Sequence, residues 1–215
     1  MTGTKAQAVE HWALQTGHPF LAFDYFGHGE SEGDFSEGTV GRWKADAIEV
    51  IDRLTDGQLV LVGSSMGGWI ALLAALERPE RVKGLILVAP AADFTEELMW
   101  ASFSDKVKDE IMTTGRWMRP SEYDEEGYPI TRTLIEEGRN HLLLDAPIPF
   151  TGPVRILQGM QDPDVPWSHA MKLVGRLATE DLAITLIKDG DHRLSRGQDI
   201  SRLLRTCAGL SVDLG

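Results

Sequence analysis

Five short apolar runs divide this chain, and a stretch with helical spacing follows each of them. They are PFLAFDY (residues 19–25), QLVLVG (58–63), RVKGLILVAP (81–90), VRILQG (154–159) and LAITLIK (182–188). All are continuous rather than alternating, as a strand must be when helices cover both faces of its sheet. Strand and helix in alternation imply a doubly wound, mostly parallel α/β sheet. A first helix is expected over 4–15, with Ala6, Val9, Trp12 and Ala13 on one face. A second is expected over 41–57, with Trp43, Ala47, Val50 and Leu54 on one side and Gly57 as its stop. Further helices are expected over 67–76, 167–177 and 200–208.

Residues 93–150 break this rhythm. Two helical patterns, TEELMWASFSDKVKDEIMTTG and TRTLIEEGRNHLLLD, flank the turn-rich segment PSEYDEEGYP. The division expected is an α/β core from 1–92 and 151–215, with 93–150 inserted as a cap or lid over one end of the sheet. Trp100, Trp117 and Met118 are candidates for lining a pocket there, and equally for the cap's own core.

Composition excludes several classes of function. A net charge of −12 and a pI near 4.9 argue against nucleic acid or an anionic membrane surface as partner, since both need a basic face. One cysteine, Cys207, excludes an internal disulfide and a cysteine-based zinc site, and it reads as a buried or helix-face thiol. No apolar run approaches the ~18 residues of a membrane span. MTGTKAQAVEHW has no apolar leader segment, so a cytoplasmic location is the expectation.

The chemistry gathers at LVLVGSSMGGWIALLAA. Gly63-Ser64-Ser65-Met66-Gly67 is a G-x-S-x-G pentapeptide between an apolar strand and an apolar helix. A sharp strand-to-helix turn lifts the central hydroxyl, that of Ser65, clear of the sheet. The helix N-terminus brings free N–H groups beside a developing oxyanion, the first belonging to Met66. Serine needs a base and a group to orient that base, in the chain order Ser, acid, His. Asp162 follows the run VRILQG and His192 follows LAITLIK, which puts both at the carboxyl edge of the sheet, where open α/β folds carry their sites. Asp164 competes as the acid. Asp189 and Asp191 read as shaping the His192 loop, and His28 as bonding within its own turn. His11, His18, His141 and His169 read as surface or cap positions. No metal-ligand spacing and no phosphate-binding loop is evident, so neither metal nor cofactor is expected.

With these residues in view, FDYFGHGESEG, LVLVGSSMGGW, LILVAP, ILQGMQDPDVPW and GDHRLS make the chain resemble an α/β-hydrolase. GSSMGGW paired with WMRPSEY and QGMQDPDVPW is similar to one branch, the mitochondrial palmitoyl-protein thioesterases or mycophenolic acid acyl-glucuronide esterases and their bacterial relatives. The resemblance implies a cofactor-free serine esterase or thioesterase with the triad Ser65, Asp162 and His192. Its partners would be a small-molecule ester or thioester, with S-acylated proteins as a further class. Members ordinarily carry strands ahead of the first helix, the last of them lying between PFLAFDY and LVLVG, with a loop that supplies a second oxyanion donor. The sequence opens at that helix, so on this reading Met1 is an internal methionine or the product of a truncation. The 215-residue form is then expected to be weakly active or aggregation-prone. The alternative reading is a catalytically impaired or non-catalytic binding protein on the same fold. A dehalogenase is disfavoured because it needs a carboxylate where Ser65 stands, and a peptidase remains open.

Overall fold

The computed structural model describes residues 3–120 and 127–214. Strands β1 (Leu59–Ser64), β2 (Val82–Val88), β5 (Val154–Gly159) and β6 (Leu182–Ile187) form one parallel sheet in the order β1-β2-β5-β6. Strand β2 explains its own apolar sequence. Successive side chains point to opposite faces, so Leu85 and Leu87 enter one core with Trp69, Leu72 and Leu173, while Ile86 and Val88 enter the other with Val9 and Leu203. The first core is closed by α2 (Val40–Leu54), α3 (Met66–Glu77) and α6 (Trp167–Val174); the second by α1 (Thr4–Thr16) and α7 (Gly197–Leu214). A strand with helices on both sides has no polar face to show.

Two sequence expectations change here. Residues 19–25 form no helix or strand and belong to no ladder among the described residues. Phe23 and Tyr25 do pack toward the first core, whereas Phe20 and Leu21 are exposed beside a cavity of about 330 Å³ that they share with Ala6, Gln7 and Glu10 of α1. Apolarity predicts burial; a strand also needs a neighbouring strand to pair with, and no ladder among the described residues includes this run. Likewise, among the described residues β1 pairs on one edge only, and its Val62 is 45% exposed. The second change is in α2, which buries Val40, Trp43, Ala47 and Ile51, leaving Leu54 exposed. Thr39 caps that helix by accepting from Arg42 N–H at 3.2 Å, so it begins one residue earlier than expected.

Between β2 and β5 the long helix expected over 95–115 is broken. One π turn (Thr95–Met99) and a 3-10 turn (Trp100–Ser102) precede α4 (Asp105–Thr114), because Ser104 restarts the helix by accepting from Val107 N–H. After Gly115, at φ +87°, the chain forms a hairpin that the sequence did not suggest, β3 (Arg116–Arg119) against β4 (Tyr128–Thr131). Residues 121–126 of the turn-rich segment lie outside the described residues. Helix α5 (Arg132–Gly138) follows. Ile111, Ile130 and Ile135 make a small core of their own, on which Trp100 and Trp117 pack; Met118 is exposed. The two ends of this segment are tied together by Asp93, whose carboxylate accepts from Leu143 N–H at 2.9 Å and from Leu144 N–H at 2.7 Å.

Candidate active site

Ser65 sits between β1 and α3 at φ +54°, ψ −123°, a conformation that L residues rarely adopt. Three backbone bonds hold it there: Ser65 N–H donates to Val88 O at 2.9 Å, and Ser65 O accepts from Gly68 N–H at 2.9 Å and from Ala91 N–H at 3.1 Å. The close of strand β2 therefore fixes the turn that follows β1. Gly63 is required, because a Cβ there would lie 2.3 Å from Gly67 O. Gly67 is not under the same demand; a Cβ there would meet only the Tyr25 hydroxyl, at 4.0 Å. Met66 N–H is the first of α3 and has no acceptor among the described residues, as expected of an N-terminal helix amide.

The turns after β5 and β6 bring Asp162 and His192 to Ser65. Gln161 N–H donates to Gly190 O and Met160 N–H to Ile187 O, so the two loops are joined at their base. His192 Nε2 lies 3.0 Å from Ser65 Oγ, and His192 Nδ1 lies 2.8 Å from Asp162 Oδ2. A carboxylate accepts only, so Nδ1 carries the proton and Nε2 is left as the acceptor for the serine hydroxyl. The Asp162 side chain is fully buried, and that of His192 is about a quarter exposed. Asp162 Oδ1 accepts from Asp164 N–H at 2.9 Å and Val165 N–H at 2.8 Å.

The competing residues fall into place around these three. Asp164 is exposed and makes its bond to Asp162 through its backbone. Asp191 caps its own loop at Leu194 N–H, and Asp189 pairs with Arg196, which also holds the buried Asp199. Lys5 donates to Arg193 O, so α1 pins the loop from the other side. His28 bonds Phe26 O within its own turn and sets its ring edge-on to Tyr25, Phe35 and Trp43. His169, read as a surface or cap position, is buried: its Nε2 donates to Ala92 O at 2.7 Å, and burial lowers its pKa. Helix periodicity placed His169 without revealing that the carbonyl beside Asp93 needed a donor. Among the described residues one group with metal-ligand proximity exists, Asp162, Asp164 and His192, with donor atoms within 4.8 Å of one another. Sequence spacing did not suggest it. Its closest pair is the 2.8 Å contact already accounted for by a shared proton.

The family described as Hydrolase_4, serine aminopeptidase S33, matches residues 3–129. Mouse palmitoyl-protein thioesterase ABHD10, mitochondrial, is 42% identical over 207 residues, covering 96% of this chain and 69% of its own length; the human protein of that name is 43% identical, covering 96% and 67%. Among solved structures, a putative hydrolase from Agrobacterium vitis S4 superposes with a TM-score of 0.94 at 44% identity, covering 98% of this chain and 83% of that one. The mouse α/β hydrolase domain-containing protein 10 gives 0.92 at 41% identity, covering 100% and 86%. A Butyrivibrio proteoclasticus esterase, Est1E with ferulic acid bound, gives 0.80 at 21% identity over 97% and 83%, a likeness of fold alone.

Proposed function

The chain belongs to the α/β-hydrolase family, and we propose that it is a serine hydrolase cleaving carboxylic esters or thioesters through an acyl-enzyme on Ser65. The observation that carries this is the unbroken path from Ser65 Oγ through the His192 ring to Asp162, with contacts of 3.0 and 2.8 Å. His192 Nε2 takes the Ser65 proton as Oγ bonds to the carbonyl carbon. The Met66 N–H donates to the oxyanion that forms, a donor of a kind whose loss costs ~3 kcal/mol of barrier. The imidazolium, held in orientation by Asp162, then gives its proton to the departing alcohol or thiol. Water repeats the sequence to release the acid.

The thioester arm is supported by the name carried by relatives 42–43% identical to this chain, palmitoyl-protein thioesterase. On this reading residues 93–150 act as a cap that shapes the acyl site, and the substrates are small esters or thioesters, with S-acylated proteins as a further class. The family description, serine aminopeptidase, favours a second reading in which the bond cleaved is an amide. A panel of p-nitrophenyl esters of graded chain length, an S-acyl peptide and an aminoacyl p-nitroanilide separates the two. The expected result is turnover of esters and thioesters that Ser65→Ala removes. Faster turnover of the anilide, or ester turnover indifferent to Ser65→Ala, overturns the proposal.

A further inference from the structure

Gln158 is fully buried on β5, next to the apolar Ile156 and Leu157. Its amide nitrogen serves three acceptors: Val165 O at 2.9 Å, Gly159 O at 3.0 Å and Asp162 Oδ2 at 3.3 Å. Its amide oxygen is buried and has no hydrogen-bond partner among the described residues. Turning the amide over would set that oxygen against two carbonyls and a carboxylate, so the orientation is dictated by the acceptors. A buried acceptor without a donor destabilises the fold, and an apolar residue of the same size would avoid that penalty. Something other than core packing accounts for glutamine here.

We propose that Gln158 is a positioning residue for the triad acid: its amide N–H fixes Asp162 Oδ2 and draws part of the carboxylate charge away from His192. This rests on the Ser65–His192–Asp162 reading above. Oδ1 of Asp162 is already held by the N–H groups of Asp164 and Val165. Oδ2 is shared by His192 Nδ1 and Gln158 Nε2, so the carboxylate has a donor on every side that the described residues offer. By also holding Val165 O, the same amide ties the far end of the 162–165 loop to β5. A neutral donor on Oδ2 weakens the carboxylate as an acceptor, so without it the carboxylate would hold the imidazolium more strongly.

Among the described residues, the charged groups around His192 are Asp162 and Asp164 from the loop after β5, Asp191 and Arg193 from its own loop, and Lys5 of α1, which bonds the Arg193 carbonyl. Gln158→Leu removes none of these charges. The readout is the rate at which a fluorophosphonate labels Ser65 across pH, with KM for p-nitrophenyl butyrate beside it, in wild type, Gln158→Leu and Gln158→Met. The expected result is labelling about tenfold slower, an acid limb moved up by about half a pH unit, and KM within about twofold, because Gln158 is too deep to touch substrate. Variants that label like wild type, or that slow with the acid limb unmoved, overturn the proposal. So does failure of both variants to fold, which would make the role structural. Wild type that does not label at Ser65 overturns the parent reading, and this one with it; a labelled wild type with indifferent variants overturns this one alone.

Discussion

The two glycines beside Ser65 look equivalent in the motif and are not. Gly63 has no room for a side chain, since its Cβ would press on Gly67 O at 2.3 Å, whereas a Cβ on Gly67 would only touch the Tyr25 hydroxyl, at 4.0 Å. Gly63→Ala should therefore destabilise the fold by roughly 1–3 kcal/mol through overpacking and slow turnover by displacing Ser65. Gly67→Ala, in the first turn of α3, should be neutral or stabilising by up to ~1 kcal/mol. Urea titration of the two variants checks the contrast, and equal losses would contradict it. At the same scale, burial pushes the Cys207 thiol up to about 11. Cys207 should thus resist iodoacetamide at neutral pH in the native protein and react once the chain is unfolded.

At the scale of elements, Asp93 joins the two ends of the segment inserted between β2 and β5. It stands at φ +56°, 2% exposed, and its pKa is raised, chiefly by burial, against the lowering effect of the Leu144 and Leu143 N–H bonds. A carboxyl with a raised native pKa binds its proton more tightly folded than unfolded. Its contribution to stability is thus fully present below the unfolded value of ~4 and is lost as pH rises through the native value. Stability measured from pH 4 to 7 should show wild type losing ground to Asp93→Asn as pH rises; a flat difference would contradict this. Asp93→Ala, which strands two backbone N–H groups, should cost about 2–4 kcal/mol. None of this was readable in the sequence, because Asp93 meets Leu143 and Leu144 only through the fold. The elements themselves were legible where one pattern held for long enough. Continuous apolar runs gave β2 and β5, each buried on two faces, and the more exposed β6, and the elbow gave Ser65. The β3–β4 hairpin was not legible, since four-residue strands carry too little alternation. Residues 19–25 had the apolar character of a strand, and pairing is not a property of one segment.

At the scale of the molecule, the sheet is anchored most firmly in its middle. Strand β2 contributes to both cores and pairs on both edges, whereas among the described residues β1 pairs on one edge. Amide exchange should be slowest along Leu85–Val88 and faster along β1; the reverse order would contradict this picture. The candidate site draws on that rigidity. Ser65 is fixed by Val88 O and Ala91 N–H at the close of β2, and the loops carrying Asp162 and His192 are joined at the ends of β5 and β6. These loops were legible as strand-end acid and histidine, while Gln158 behind them was not, since a lone glutamine in an apolar run carries no pattern. The whole account turns on whether this framework makes Ser65 a nucleophile. A fluorophosphonate probe followed by peptide mapping measures that directly. The account predicts labelling of Ser65 that disappears in Ser65→Ala and falls sharply in Asp162→Asn. Folded wild-type protein that stays unlabelled, or carries the label at another residue, would contradict it.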